Sequence, residues 1–293
     1  MTSDPSGPSD PSDPSDLAAA IAGRLAEIPG IVGVTLGGSW ATGVADAEAD
    51  VDLGLYYDPA QRPSRAALDA VAHDLDDRRP TAAVTAFGDW GPWVDGGAWL
   101  TVGGRRVDWI FRDVDRVRAA VAAARAGDVT VHHQVGHPFG FPAHRYAGEL
   151  AVARVLADPA GALAGLRAEL GEFPAALRRA LADRLWEAGF ALEQADKSGR
   201  RGDVLATVGQ LHRAVAVMVA ALSGHNGRWL LNEKGALRLI AQMRRRPDTF
   251  AQVVESVLAR PGATSDELGA SVERMRAALA DVRAVCGRRE PGG

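Results

Sequence analysis

Cysteine and lysine are nearly missing from this chain. Its 293 residues hold one cysteine, Cys286. A single thiol excludes an internal disulfide and any cysteine-based zinc site. Two of the 33 basic residues are lysine, Lys197 and Lys234, and the rest are arginine. With abundant Ala, Val and Gly, that skew matches the codon bias of a GC-rich genome, so arginine content alone says little about function. An excess of positive charge is also missing. The net charge of -4 argues against a general binder of nucleic acid or of a membrane surface. By eye no apolar stretch approaches a membrane span, and the N-terminus lacks the basic-then-apolar pattern of a leader peptide. The expectation is a cytoplasmic protein with no nucleic-acid or membrane partner.

Apolar residues make up 47% of the chain, enough for a sizeable core, and the length suits two domains. Residues 1–16 repeat Pro, Ser and Asp with almost nothing apolar, so this segment is expected to be a disordered tail. From Leu17 onward, "LAAAIAGRLAEI" has a helical period, with Asp16 as its N-cap. "IVGVTL" (31–36) and "VDLGLYY" (51–57) read as strands, and "RAALDAVAHDLDD" (65–77) as a helix. "AWLTVGGRRVDWIF" (98–111) reads as a hairpin turning at Gly103-Gly104, a dipeptide suited to positive φ. Residues 114–127 are helical again. After about residue 145 the strand signals stop and four successive stretches carry a helical period. The expected fold is therefore α+β: a mixed sheet with flanking helices over 17–131, a Gly/Pro/His-rich linker over 132–145, and an all-α bundle over 146–290.

The stretch "GGSWATGVADAEADVDLGLYY" (37–57) concentrates the chemistry. On a strand, residues two apart share a face, so Asp50 and Asp52 present both carboxylates on one side. Two such charges repel and resist desolvation, a conflict that a divalent metal removes. Oxygen ligands of this kind suit Mg²⁺, which keeps room for substrate phosphates. Gly37, Gly38 and Ser39 follow a strand directly. Glycines let the backbone approach a phosphate, and N–H groups at a helix start bind anions. A third carboxylate from a neighbouring strand would complete the set, and Asp108 is the one acidic residue inside "RRVDWIF". Asp50, Asp52 and Asp108 together could hold two metal ions, clamping the attacking and leaving oxygens of an in-line displacement.

This pattern resembles the signature of the nucleotidyltransferase superfamily that includes DNA polymerase beta. An apolar residue precedes Gly-Gly or Gly-Ser, and roughly ten residues later comes Asp-apolar-Asp-apolar. Here ten residues separate Ser39 from Asp50, and Asp108 matches the family's third carboxylate. The resemblance covers residues 30–112, and the helical half is similar in general plan to small bacterial members that adenylylate antibiotics. It implies a transferase that moves a nucleoside monophosphate, AMP from ATP, to a hydroxyl of a small acceptor such as an antibiotic or sugar. Pyrophosphate is the leaving group. It also implies a lysine reaching the triphosphate from the helical domain, a role that fits Lys234 in an otherwise arginine-based chain; a surface lysine at a helix start is the plainer alternative.

Two other classes stay open. Related minimal transferases act as antitoxins that AMPylate a partner protein, and a non-catalytic module could sense nucleotide without transfer. Trp40 is the aromatic best placed to stack on a ligand, the other tryptophans reading as core. Glu149 and Glu187 are possible acceptor-contacting acids. His132, His133, His137 and His144 match no familiar zinc spacing, and His212 reads as a core histidine.

Overall fold

The computed structural model describes residues 14–38, 40 and 49–287. Its seven strands are β1 (Ile31–Leu36), β2 (Val51–Tyr57), β3 (Gly97–Val102), β4 (Arg105–Asp113), β5 (Val131–His132), β6 (Phe141–Pro142) and β7 (Arg154–Ala157). The chain divides into two compact units. The first falls within Met1–Val121 and Glu149–Glu169, the second within Ala122–Gly148 and Leu170–Gly293.

In the first unit five strands form one sheet in the order β3-β4-β2-β1-β7. Strands β2 and β4 run parallel; every other neighbouring pair is antiparallel. The alternation in β2 explains its place. Val51, Leu53, Leu55 and Tyr57 are buried on one face, beside Val107, Trp109 and Phe111 of β4. The helices Pro14–Ala26 and Arg65–Leu75 cover that face with Ile21, Leu25 and Leu68. Each such side chain contributes about 1.5–3 kcal/mol on burial. The opposite face carries the alternate residues, among them Asp52, Asp108 and Arg112.

The hairpin is as expected. Gly103 and Gly104 both have positive φ, at 57° and 77°, matching the twist that a two-residue turn must impart. Asp77 accepts from both glycine amides, at 3.0 and 2.8 Å, fixing the turn against the end of the preceding helix.

The second unit is mostly helical. Val204–His225 runs through its core and packs against Leu185–Gly199 and Ser265–Cys286. Leu211, Val215, Met218 and Leu222 of this helix are buried, whereas Val204 at its start is exposed. Asp203 caps this helix by accepting from the Ala206 amide at 3.0 Å. By length and composition this helix could cross a membrane, which corrects the reading that no stretch approaches a span; half of its apolar window is buried inside the unit.

The organisation differs from the expectation in several places, and residues 122–131, expected in the sheet domain, belong to the second unit. The first helix begins at Pro14, inside the expected tail, whose residues 1–13 lie outside the described ones. The expected linker contains a small antiparallel ribbon, Val131 opposite Pro142 and His132 opposite Phe141. The expected all-α region gives residues 149–169 to the sheet unit, because β7 hydrogen-bonds to β1. In addition, the helix expected across 175–195 breaks at Arg184, whose guanidinium donates to the Val129 carbonyl at 2.8 Å.

Candidate active site

Strand β1 ends at Leu36, and the next residue stays tied to the sheet. The Gly37 amide donates to the Asp52 carbonyl at 2.8 Å. Gly38 then turns with φ at +58° and lies directly against the Asp52 side chain. A Cβ at Gly38 would stand 1.8 Å from Asp52 Oδ2. Only glycine can combine this backbone with that approach. Ser39 lies outside the described residues, as do residues 41–48. Trp40 is half-buried on the sheet core, and its indole N–H donates to the Ala49 carbonyl at 3.3 Å.

The parallel register between β2 and β4 sets Asp52 beside Asp108. Side-by-side residues on neighbouring strands share a face, and strands lie about 4.8 Å apart. Two half-buried carboxylates therefore stand in one row. The same row continues onto β3, where Trp99 is opposite Asp108. Trp99 is 59% exposed and stacks on Trp90, with ring centroids 4.4 Å apart and planes 23° apart. This aromatic platform was not expected from composition. It was nevertheless readable, because a two-residue turn at Gly103-Gly104 makes positions 99 and 108 partners.

Asp50 stands one row earlier, opposite Arg106. The guanidinium Nε lies 2.7 Å from Asp50 Oδ1 as an ion pair. Its angle does not make a hydrogen bond, so that shielded oxygen lacks a donor among the described residues. The site residues are thus placed unequally. Gly37, Gly38, Asp50, Asp52 and Asp108 gather at one end of one sheet face. Glu149 lies in the same unit, where its Oε2 accepts from Arg112 Nε at 2.7 Å. Burial, together with the Glu149 charge, pushes the Tyr56 hydroxyl up to about 12, so that phenol stays protonated.

Glu187 and Lys234 belong to the second unit. Glu187 pairs with Arg184, at 2.6 Å, and with Arg213. Burial alone would raise its pKa, but the two guanidinium groups outweigh it and hold the carboxyl below its usual range. Lys234 is exposed, and its amide donates to Asn232 Oδ1 at 2.9 Å. The helix beyond it, Ala236–Ala241, starts from Gly235 in the left-handed region.

Among the described residues no three His, Cys, Asp or Glu side chains gather as a metal-holding group. The donor set suits a divalent cation all the same. Mg²⁺ takes one or two protein carboxylates and completes its shell with water and substrate phosphates, and Asp52 with Asp108 supplies two. Asp50 is instead held in its ion pair with Arg106.

No family model matches this chain, and no curated protein matches it. Among solved structures, it is similar to a nucleotidyltransferase-like protein from Exiguobacterium sibiricum 255-15, at 12% identity and a TM-score of 0.42, over 91% of this chain and 74% of that one. A likeness so slight carries no chemistry, which rests on the residues themselves.

Proposed function

We propose that this protein is a Mg²⁺-dependent nucleotidyltransferase that moves AMP from ATP to a hydroxyl of a small acceptor, an antibiotic or sugar being the type. The observation that carries the reading is the row of Asp52 and Asp108, with the glycine turn packed onto the Asp52 carboxylate. Asp52 and Asp108 would hold the metal, with Asp50 recruited for a second ion. Bound there, Mg²⁺ supplies positive charge to the phosphate oxygens as the displacement proceeds.

The chain's own groups do the rest. The Gly38-Ser39 segment would hold the β- and γ-phosphates, the Gly37 amide being engaged by the Asp52 carbonyl. Asp108 takes the proton of the acceptor hydroxyl as its oxygen bonds to the α-phosphorus. The bond from the α-phosphorus to the bridging oxygen breaks, and its electron pair leaves with pyrophosphate. The Trp99 face receives the base or the acceptor ring.

The test is incubation with labelled ATP, Mg²⁺ and a panel of small hydroxylated compounds, read by mass and by pyrophosphate release. An acceptor gaining one adenylyl group supports the reading. ATP bound without pyrophosphate release, with every panel member unmodified, rejects it in favour of a nucleotide sensor. Label appearing on a protein instead of a small compound rejects the acceptor class.

A further inference from the structure

The second unit holds a partly open cavity of about 60 Å³ that takes no part in the site above. Its wall is mainly apolar. Phe173 and Trp229 lie against each other at 4.6 Å between centroids, and the His144 ring is 6.4 Å from Trp229. On the facing helix, Ala216 and Ala220 present small side chains to the cavity, and Leu181 packs directly onto Gly224.

One polar atom inside this wall is unaccounted for. Ser223 is 1% exposed, lines the cavity, and its Oγ has no hydrogen-bond partner among the described residues. A buried hydroxyl left unpaired costs about 1–3 kcal/mol. A helical serine ordinarily avoids that cost by donating to the carbonyl four residues back; Ser223 does not.

The second polar group is His144. Its Nδ1 lies 3.1 Å from the Asp128 carbonyl, so Nδ1 carries the proton and Nε2 is left as an acceptor. Burial holds its pKa below the usual histidine value, which keeps the ring neutral at neutral pH. Of the three arginines that line the cavity, Arg184, Arg213 and Arg228, the first two are engaged. Arg184 donates to Glu187 and to the Val129 carbonyl, and Arg213 donates to Glu187. The cavity therefore offers a hydroxyl and an imidazole acceptor between apolar walls, with Arg184 and Arg213 both paired to Glu187.

We propose that this cavity is a binding site for a small hydroxylated aromatic molecule, its ring against Trp229 and Phe173 and its hydroxyl on Ser223 and His144. A hydroxyl is the simplest group that both donates and accepts, as these two residues require. Water alone would satisfy Ser223 but would leave the apolar wall in contact with solvent. The inference is independent of the nucleotidyl reading, since each residue it uses lies in the second unit.

The experiment uses the full chain with phenol and benzene as probes, followed by calorimetry and ligand-observed NMR. Phenol is expected to bind more tightly than benzene. Ser223→Ala should weaken phenol by about tenfold while leaving benzene unchanged, the size expected for one hydrogen bond. Its own melting temperature should hold or rise, because the unpaired hydroxyl is gone. Ala220→Leu should abolish binding of both probes; if that variant does not fold, the Ser223→Ala comparison decides alone. Absence of phenol binding at millimolar concentration overturns the proposal, as does equal loss of phenol and benzene affinity in Ser223→Ala.

Discussion

Gly38 and Asp52 touch so closely that no side chain fits between them: a Cβ on the glycine would fall 2.9 Å from the Asp52 carboxyl carbon and nearer still to one of its oxygens. The turn and the carboxylate are therefore one structural feature, although fourteen positions apart in sequence. Gly38→Ala should move the carboxylate and strain the turn. Left-handed backbone costs a non-glycine residue about 1–2 kcal/mol, so the melting temperature should fall by a few degrees. Turnover should fall much further, by about 10²-fold, as expected when a reacting group is displaced by an ångström. A variant with wild-type turnover would show that this contact has no part in the chemistry.

Asp52 and Asp108 should be separable by kinetics. Asp52→Asn and Asp50→Asn should abolish transfer with the fold intact, checked by circular dichroism. Asp108→Asn should lower turnover about 10²–10⁴-fold, the range for a lost general base, with ATP affinity less affected. Equal losses of ATP affinity in all three would assign Asp108 to the metal alone.

Arg106 pairs with Asp50, so under the proposed function it would compete with metal for that carboxylate. The pair is largely solvent-exposed on the arginine side, 72% for Arg106 and 33% for Asp50, and exposed ion pairs contribute about 0–1 kcal/mol. Arg106→Gln should thus leave the melting temperature nearly unchanged. The Mg²⁺ concentration for half-maximal activity should drop, read from a metal titration. A rise in that concentration would mean that Arg106 helps hold substrate.

Trp99 stands in the row of the two carboxylates with more than half its surface exposed. Trp99→Ala should raise KM for ATP or for the acceptor by about tenfold, since stacking on one aromatic contributes roughly 1–3 kcal/mol. Unchanged KM for both would remove the platform from the site.

Asp76 gives a test of stability against pH. It caps the Arg65–Leu75 helix and accepts from Arg78 through Nε at 2.9 Å and Nη2 at 2.6 Å. The Arg78 side chain holds its carboxyl at about 2, outweighing burial. The group's contribution is therefore full above its unfolded pKa near ~4 and disappears as pH falls through about 2. Asp76→Asn should lower the melting temperature at pH 7 and flatten acid unfolding between those values. Parallel acid-unfolding curves would contradict this.

Much of the sheet was legible because its signals are local. The short runs 31–36 and 51–57 and the Gly103-Gly104 turn marked the strands and the hairpin that the structure contains. From these came the expectation that Asp50 and Asp52 share a face and that Asp108 lies on a neighbouring strand; the register that pairs Asp108 with Asp52 came from the structure. What escaped notice depends on distant partners. Strand β7 is four residues long, follows a helix directly, and has no alternation to mark it; only pairing with β1 makes it a strand. The same holds for the claims that Arg106 and Arg112 make on Asp50 and Glu149. Nothing in the neighbouring residues specifies which acid each arginine meets.

Strand β7 also has a consequence for synthesis. While the polypeptide emerges from the ribosome, β1 has one partner, β2, and its other edge stays open until residues 154–157 arrive nearly a hundred positions after β2 is complete. An open edge invites pairing with another nascent copy. A fragment cut at the apparent end of the first domain, near residue 131, would keep that edge bare for good and should associate through it, whereas one extended through Glu169 should remain monomeric.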